Sequence, residues 1–174
     1  TDVDRVTANL RTTPNGITLE REDVPGERDN WEIGGDYEFT RNNGHRFKLL
    51  AIANQDNRDT TRNRFLTLPD GSEEQNLFLN TGAVTEERIV RAAYTLDLFE
   101  SQDLEFGIEG AKTTLEASLA LGIIDAAGIP SPDFGGLVPQ AITNANSTVE
   151  EIRFEPFLIH NWRINPKLSV ESTL

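Results

Sequence analysis

The feature that most constrains this chain is a strict two-residue alternation of apolar and charged side chains. In NWEIGGDYEFT, Trp31, Ile33, Gly35, Tyr37 and Phe39 occupy one parity, and Glu32, Gly34, Asp36, Glu38 and Thr40 the other. A helix would mix the two sets; an extended strand separates them onto opposite faces. RNNG (Arg41 to Gly44) follows with the chemistry of a tight turn. The alternation then resumes in HRFKLLAIANQDNRD, with Phe47, Leu49, Ala51 and Ala53 against Arg46, Lys48, Asn54 and Asp56. Pairing residues whose numbers sum to 84 sets Tyr37 against Phe47, Trp31 against Ala53, Glu38 against Arg46 and Asp36 against Lys48. A slip of one residue would lose both sets of matches.

The pattern recurs along the chain. EERIVRAAYTLDLF places Val90, Ala92, Tyr94, Leu96 and Leu98 opposite in parity to Arg91, Thr95 and Asp97. After an ESQ turn, Leu104, Phe106, Ile108 and Gly110 alternate with Glu105, Gly107 and Glu109; a sum of 200 pairs Arg91 with Glu109 and Tyr94 with Phe106. Near Lys112 the phase flips to Leu115, Ala117, Leu119 and Leu121, as at a β-bulge, and a helix over residues 113–121 competes with strand there. VEEIRFEPFLIHNW carries Ile152, Phe154, Leu158 and Trp162 on one side, RINPK is a turn, and LSVESTL begins another strand. Pro156 marks a bulge or a sheet edge. At the front, Val6, Ala8 and Leu10 alternate before a TPNG turn, and Ile17 and Leu19 continue after it. The expected fold is all-β: about eight long antiparallel strands joined by hairpins, in a single segment spanning residues 1–174.

Strand length narrows the class. Several strands read as roughly 11–15 residues, where soluble strands cluster near 5–6 and about 9–11 tilted residues cross a bilayer. The short RNNG, FESQ and RINPK connections contrast with two segments read as long loops, Asp59 to Thr85 and Gly122 to Thr148. Short turns on one rim and long loops on the other is the layout of an outer-membrane barrel. On this reading the apolar set faces lipid, with Trp31, Tyr37, Phe39, Tyr94, Phe99 and Trp162 as interfacial girdle residues. Glu32, Asp36, Glu38, Arg46, Lys48, Arg91, Asp97, Glu105, Glu109, Arg153 and Glu155 then line an interior that needs water or a polar plug. An arginine at Ile108 should cost about 2–4 kcal/mol, and one at Glu109 far less.

Charge and composition remove other classes. With 16 basic against 29 acidic residues, a net charge of −13, nucleic acid is not an expected partner. Lacking cysteine, the chain has no disulfide framework and no thiolate chemistry. His45 and His160 are the only neutral-pH titrators, suited to an interfacial rather than a catalytic role. Asp56, Asn57 and Asp59 are the one grouping that invites a Ca²⁺ reading, with solvated loop carboxylates as the plainer one. Asn146-Ser147-Thr148 matches a glycosylation sequon. No nucleotide-binding or hydrolase motif occurs, so no catalytic residue, cofactor or metal is assigned and no enzymatic activity is expected.

The stretches NWEIGGDYEFT, HRFKLLAIANQDNRDTTRNRF, AAYTLDLFESQDLEFGIEGAKT and FEPFLIHNWRINPKLSVESTL resemble the central barrel region of TonB-dependent outer-membrane receptors. The phrase carried by Glu155, Pro156, Phe157, Asn161, Trp162, Asn165 and Pro166 is similar to one that precedes a long lipid-facing strand in that family. The resemblance implies a 22-stranded barrel of which about eight strands lie here. It also implies a Gram-negative outer-membrane location and uptake of a scarce small-molecule ligand (siderophore, cobalamin or glycan). The implied partners are outer-membrane lipid, the remaining barrel and plug of the same protein, and the inner-membrane coupling protein TonB. The family's N-terminal plug and coupling box and its terminal aromatic are not visible, so the chain reads as an excerpt of a longer protein. Two alternatives stand beside this one: a complete eight-stranded outer-membrane barrel with a structural or adhesive role, and a soluble secreted β-sandwich that binds a ligand.

Overall fold

The computed structural model describes residues 2–13 and 16–174. The strands are β1 (Asp2–Thr13), β2 (Gly16–Thr40), β3 (Arg46–Thr67), β4 (Glu73–Phe99), β5 (Gln102–Ile123), β6 (Val138–Gln140), β7 (Asn146–Asn165) and β8 (Leu168–Thr173). All belong to one antiparallel sheet in the order β1-β2-β3-β4-β5-β7-β8, with the short β6 added to β5 beside this path. The fold is thus all-β and the sheet is not closed. There is no second sheet layer among the described residues. No helix is long and apolar enough to cross a membrane, which says nothing about crossing by strands.

Several expectations change. The strands are longer than the alternation suggested: β2, β3, β4, β5 and β7 run to 25, 22, 27, 22 and 20 residues. Residues 113–121 are strand, inside β5. The segment Asp59 to Thr85 is no long loop; β3 and β4 continue through it and meet at a tight turn. Leu68 donates to Ser72 O (2.8 Å) and Gly71 to Leu68 O (2.9 Å), with Gly71 at φ 85°. The Leu68-Pro69-Asp70-Gly71-Ser72 turn is the one at Arg41–His45 repeated, where Arg41 donates to His45 O (2.8 Å), Gly44 to Arg41 O (2.9 Å) and Gly44 has φ 85°. A turn closed by a left-handed glycine adds a residue to the loop. Partners at the first hairpin therefore sum to 86, since 41 faces 45, and not to 84. The shift is by two, so every side chain keeps its face while its cross-strand partner changes.

The other connections follow the reading more closely. Glu100–Ser101 and Pro166–Lys167 are short turns. Thr13 pairs with Gly16, and the expected TPNG turn between them rests on Pro14 and Asn15, outside the described residues. Only the segment between Ile123 and Asn146 is a long connection, and it is ordered: a 3₁₀ turn at Pro132–Phe134 precedes β6, which pairs with Leu121–Ile123. Pro156 lies in β7 where a missing N–H is tolerated, because β8 reaches no further along β7 than Leu158 among the described residues.

Contacts divide the chain into two compact units. The first comprises Thr1–Asn30, Asp56–Thr85 and Leu115–Val149; the second comprises Trp31–Gln55, Glu86–Thr114 and Glu150–Leu174. In the first, Leu137 and Val138 are buried and Phe134 packs edge-on to Phe78 at 5.7 Å. In the second, Ala93, Ala111 and Thr95 are the buried side chains among the described residues. Among the described residues no large side chain in either unit is fully enclosed, which is unlike a sandwich core.

Candidate functional site: the two faces of the sheet

In the second unit one sheet face is apolar, aromatic and open. Trp31, Ile33, Tyr37, Phe39, Phe47, Val90, Phe106, Ile108, Ile152, Phe154 and Trp162 are all exposed, Trp31 by 51% and Trp162 by 42%. Of the expected girdle residues, Trp31, Tyr37, Phe39 and Trp162 stand on this surface; Phe99 is exposed too, but at the end of β4 and at the parity of Arg91, Thr95 and Asp97. Tyr94 is half-buried, tilted against Phe106 at 5.6 Å and edge-on to His45, whose Nδ1 lies 2.8 Å from the Tyr94 hydroxyl. Tyr94 and Phe106, expected to be cross-strand neighbours, are thus in ring contact. His160 Nε2 lies 3.0 Å from Gln102 Oε1, and Trp31 Nε1 donates to Gln55 Oε1 at 3.1 Å. The polar tips of these amphipathic side chains are thereby satisfied while their rings stay open.

The opposite face carries charge, and the charges are cross-linked. Arg91 lies 3.6 Å from Glu105 and 3.8 Å from Glu109, the latter being the predicted pair. Arg153 reaches Glu109 at 3.2 Å and Glu155 at 3.3 Å, so Glu109 bridges two guanidinium groups from β4 and β7. Thr95 Oγ1 donates to Glu105 at 3.3 Å. Phe157, a residue the periodicity did not single out, also stands here: the Arg91 guanidinium lies 4.2 Å above its ring. A Cβ at Gly107 would collide with both the Phe157 ring and the Ala92 carbonyl, so glycine alone gives the ring its seat. The Glu-Pro-Phe phrase thus has a local role, with Glu155 in the ion network, Pro156 on the free strand edge and Phe157 over Gly107. Glu38, Arg46, Lys48, Arg91, Thr95 and Glu105 surround a hollow of about 340 Å³ on this face. The pairs expected from a sum of 84 do not form there, because the register at the turn is two residues off.

The first unit is bound together by arginine–carboxylate pairs. Arg21 grips Glu73 through Nε (3.0 Å) and Nη2 (2.7 Å), also contacts Asp23, and lies 4.4 Å above the Phe65 ring. This hydrogen-bonded guanidinium holds the Glu73 carboxyl below its ordinary value of 4.5. Asp56, held below its ordinary 3.8 first by Arg28 (2.7 Å) and then by Arg58 (2.8 Å), is occupied as an anion partner. Arg62 pairs with Glu22 at 2.7 Å. Asn80 donates to Asp59 (3.0 Å) and Thr61 (3.0 Å), so the Asp56, Asn57 and Asp59 grouping is committed to protein partners at both carboxylates. No group of three His, Cys, Asp or Glu side chains is gathered for a metal among the described residues. A hollow of about 570 Å³ in this unit has Asp29, Asn57, Asp59, Glu116, Ser118 and Asn146 in its wall. It draws on both segments expected to bind ligand, though one of them is hairpin and not loop.

Neither a family model, nor a curated protein, nor a solved structure matches the chain.

Proposed function

We propose that this chain is a membrane-spanning β-barrel segment of an outer-membrane receptor of the TonB-dependent kind, acting in uptake of a scarce ligand and not in catalysis. The observation that carries the proposal is the asymmetry of the second unit. One face offers exposed aromatic and branched side chains on β2, β3, β4, β5 and β7, while the other holds a linked ion network. A water-soluble protein rarely leaves so much contiguous apolar surface open. Lipid is the occupant that suits a whole sheet face, since strands crossing a bilayer alternate apolar-out and polar-in.

Dimensions favour the same occupant. From Trp31 to Phe39 and from Val90 to Leu98 the apolar run covers nine residues of a strand. At about 3.3 Å rise and about 40° tilt this spans roughly 23 Å, close to the ~25 Å apolar belt of such barrels. The next side chains of the same parity are charged: Arg88 before Val90, Lys112 after Gly110 and Glu150 before Ile152. Lys112 and Glu150 form an ion pair at 2.9 Å, as groups at a headgroup boundary can. The open sheet, with β1 and β8 as its edges, suits one arc of a larger barrel better than a complete eight-stranded one. The single layer leaves a sandwich without its second half.

The membrane reading is tested by tryptophan fluorescence of the folded chain in vesicles whose acyl chains carry bromine. Trp31 and Trp162 should be quenched by brominated lipid and shielded from aqueous iodide. Quenching by iodide alone would overturn it. The transport reading is tested in cells producing the whole receptor, where ligand accumulation should disappear when TonB is removed; uptake indifferent to TonB would refute that part alone.

A further inference from the structure

The hollow on the charged face of the second unit contains an electrostatic imbalance. In a chain with 29 acids for 16 bases, most cations find a carboxylate easily. Arg91 does, through Glu105 and Glu109. Arg46 and Lys48, on the same wall, have no hydrogen-bond or ion-pair partner among the described residues, although Glu38 lines the same hollow. They are two residues apart on β3, so both project to one side. Glu105 is already held by Arg91 and Thr95, which leaves it little capacity to neutralise them. Ala93 and Thr95 form a buried base, 8% and 9% exposed, so the cations stand beside a surface shielded from bulk water on one side.

We propose that this hollow is an oxyanion site, taking a small ligand that carries at least two carboxylate or phosphate groups. Its volume, about 340 Å³, falls at the lower end of small-molecule pockets of roughly 300–1,000 Å³. Arg46 supplies a planar fork for one anionic group and Lys48 a point charge for a second. Glu38 opposes both and sets a threshold, since a single negative charge gains little against a neighbouring carboxylate while two outweigh it. The site lies on the polar face, so the proposal stands or falls separately from whether the other face meets lipid.

The test is titration calorimetry of the folded full chain in neutral detergent, with citrate and pyrophosphate as probes and acetate as the single-charge control. Citrate or pyrophosphate should bind saturably at one site and acetate should not; preference between the two probes distinguishes a carboxylate from a phosphate source. Arg46→Gln or Lys48→Gln should weaken binding roughly tenfold, the loss of one charge-assisted hydrogen bond. Glu38→Gln should tighten it severalfold, a gain that misfolding cannot mimic. Arg163→Gln, a charge removed elsewhere in the unit, should leave it unchanged. Absence of saturation for both probes, equal weakening by Arg163→Gln, or weaker binding in Glu38→Gln would each overturn the proposal.

Discussion

The two units share strands β2, β3, β4, β5 and β7 yet spend their side chains differently. Among the described residues, nineteen of the 27 exposed large hydrophobics belong to the second unit; so do ten of the chain's 13 aromatic residues, including every Trp and Tyr. The first unit has three phenylalanines, and two of them, Phe78 and Phe134, are turned against each other. Its strands are joined by paired carboxylates and guanidinium groups, with an ordered connection folded onto the end of β5. Hydrogen-bonded ladders are common to both, so the ladder alone does not explain the difference. On the proposed reading, what differs is the medium each outward surface meets: hydrocarbon for open aromatic and aliphatic rows, water for salt-linked ones. The chemistry changes near Asn30/Trp31, Gln55/Asp56 and Val149/Glu150, the borders of the two units.

The largest expected effect comes from Gly107. Gly107→Val forces a branched side chain into the Phe157 ring and the Ala92 carbonyl, and only the ring can move aside. A cost of about 3 kcal/mol or more is expected, with loss of the folded band in unheated gel electrophoresis. Adding Phe157→Ala should restore part of it and no more, because the carbonyl remains. Full restoration would mean that the backbone is not close-packed at this point.

Next in size, Ile108→Arg should cost about 2–4 kcal/mol in bilayer refolding. The useful comparison is Glu32→Arg, on the charged face and outside the ion network, where a change of about 0.5 kcal/mol or less is expected. Equal costs at the two positions would erase the distinction between the faces. Glu109→Arg, which alternation alone recommends as a mild control, is not one. It would place three guanidinium groups together, since Glu109 lies within reach of both Arg91 and Arg153. A cost of about 1–2 kcal/mol is expected there, partly relieved by Arg153→Glu; additivity of the two changes would show that the bridge contributes nothing.

Particular residues show how far the fold was legible in the chain. Alternation around Trp31–Phe39 and Val90–Ile108 identified strands and their faces because a period of two admits no other regular structure. Opposite charges at Arg91 and Glu109 identified their pairing for the same reason. The first hairpin was placed two residues out because composition does not reveal whether Gly44 closes the turn or begins the strand; its positive φ decides that. The β3–β4 turn was hidden by its surroundings. Asn, Asp, Thr and Arg dominate residues 54–64, so apolar alternation fades and the stretch imitates a loop, although Leu68-Pro69-Asp70-Gly71 is itself a turn signature. Phe157 entered only through the phrase it shares with a known family and was not placed by the alternation, because an aromatic on the charged parity looks like an irregularity until Gly107 and Arg91 are seen around it. That Arg46 and Lys48 lack partners among the described residues depended on the register and so was lost with it.

The smallest effect separates the units by pH. Glu73 and Asp56 in the first unit are held below their ordinary values by Arg21 and by Arg28 with Arg58, and Asp70 by the Ser72 hydroxyl and amide. A carboxyl whose folded value is depressed contributes stability that is complete above its unfolded value and disappears as pH falls through the folded one. Between neutrality and about pH 5 these groups should therefore change nothing, and from about pH 4 downward the first unit should loosen. Because all three carboxylates are open to solvent, the loss should be modest and reduced further by salt. Amide exchange read separately for β3 residues 56–67 and for β4 residues 90–98 measures it. Faster exchange in the first range below pH 4, with the second range unmoved, is the expected result. Parallel loosening of both would mean that the ion pairs of the first unit are incidental and that the whole ladder responds to acid as one body.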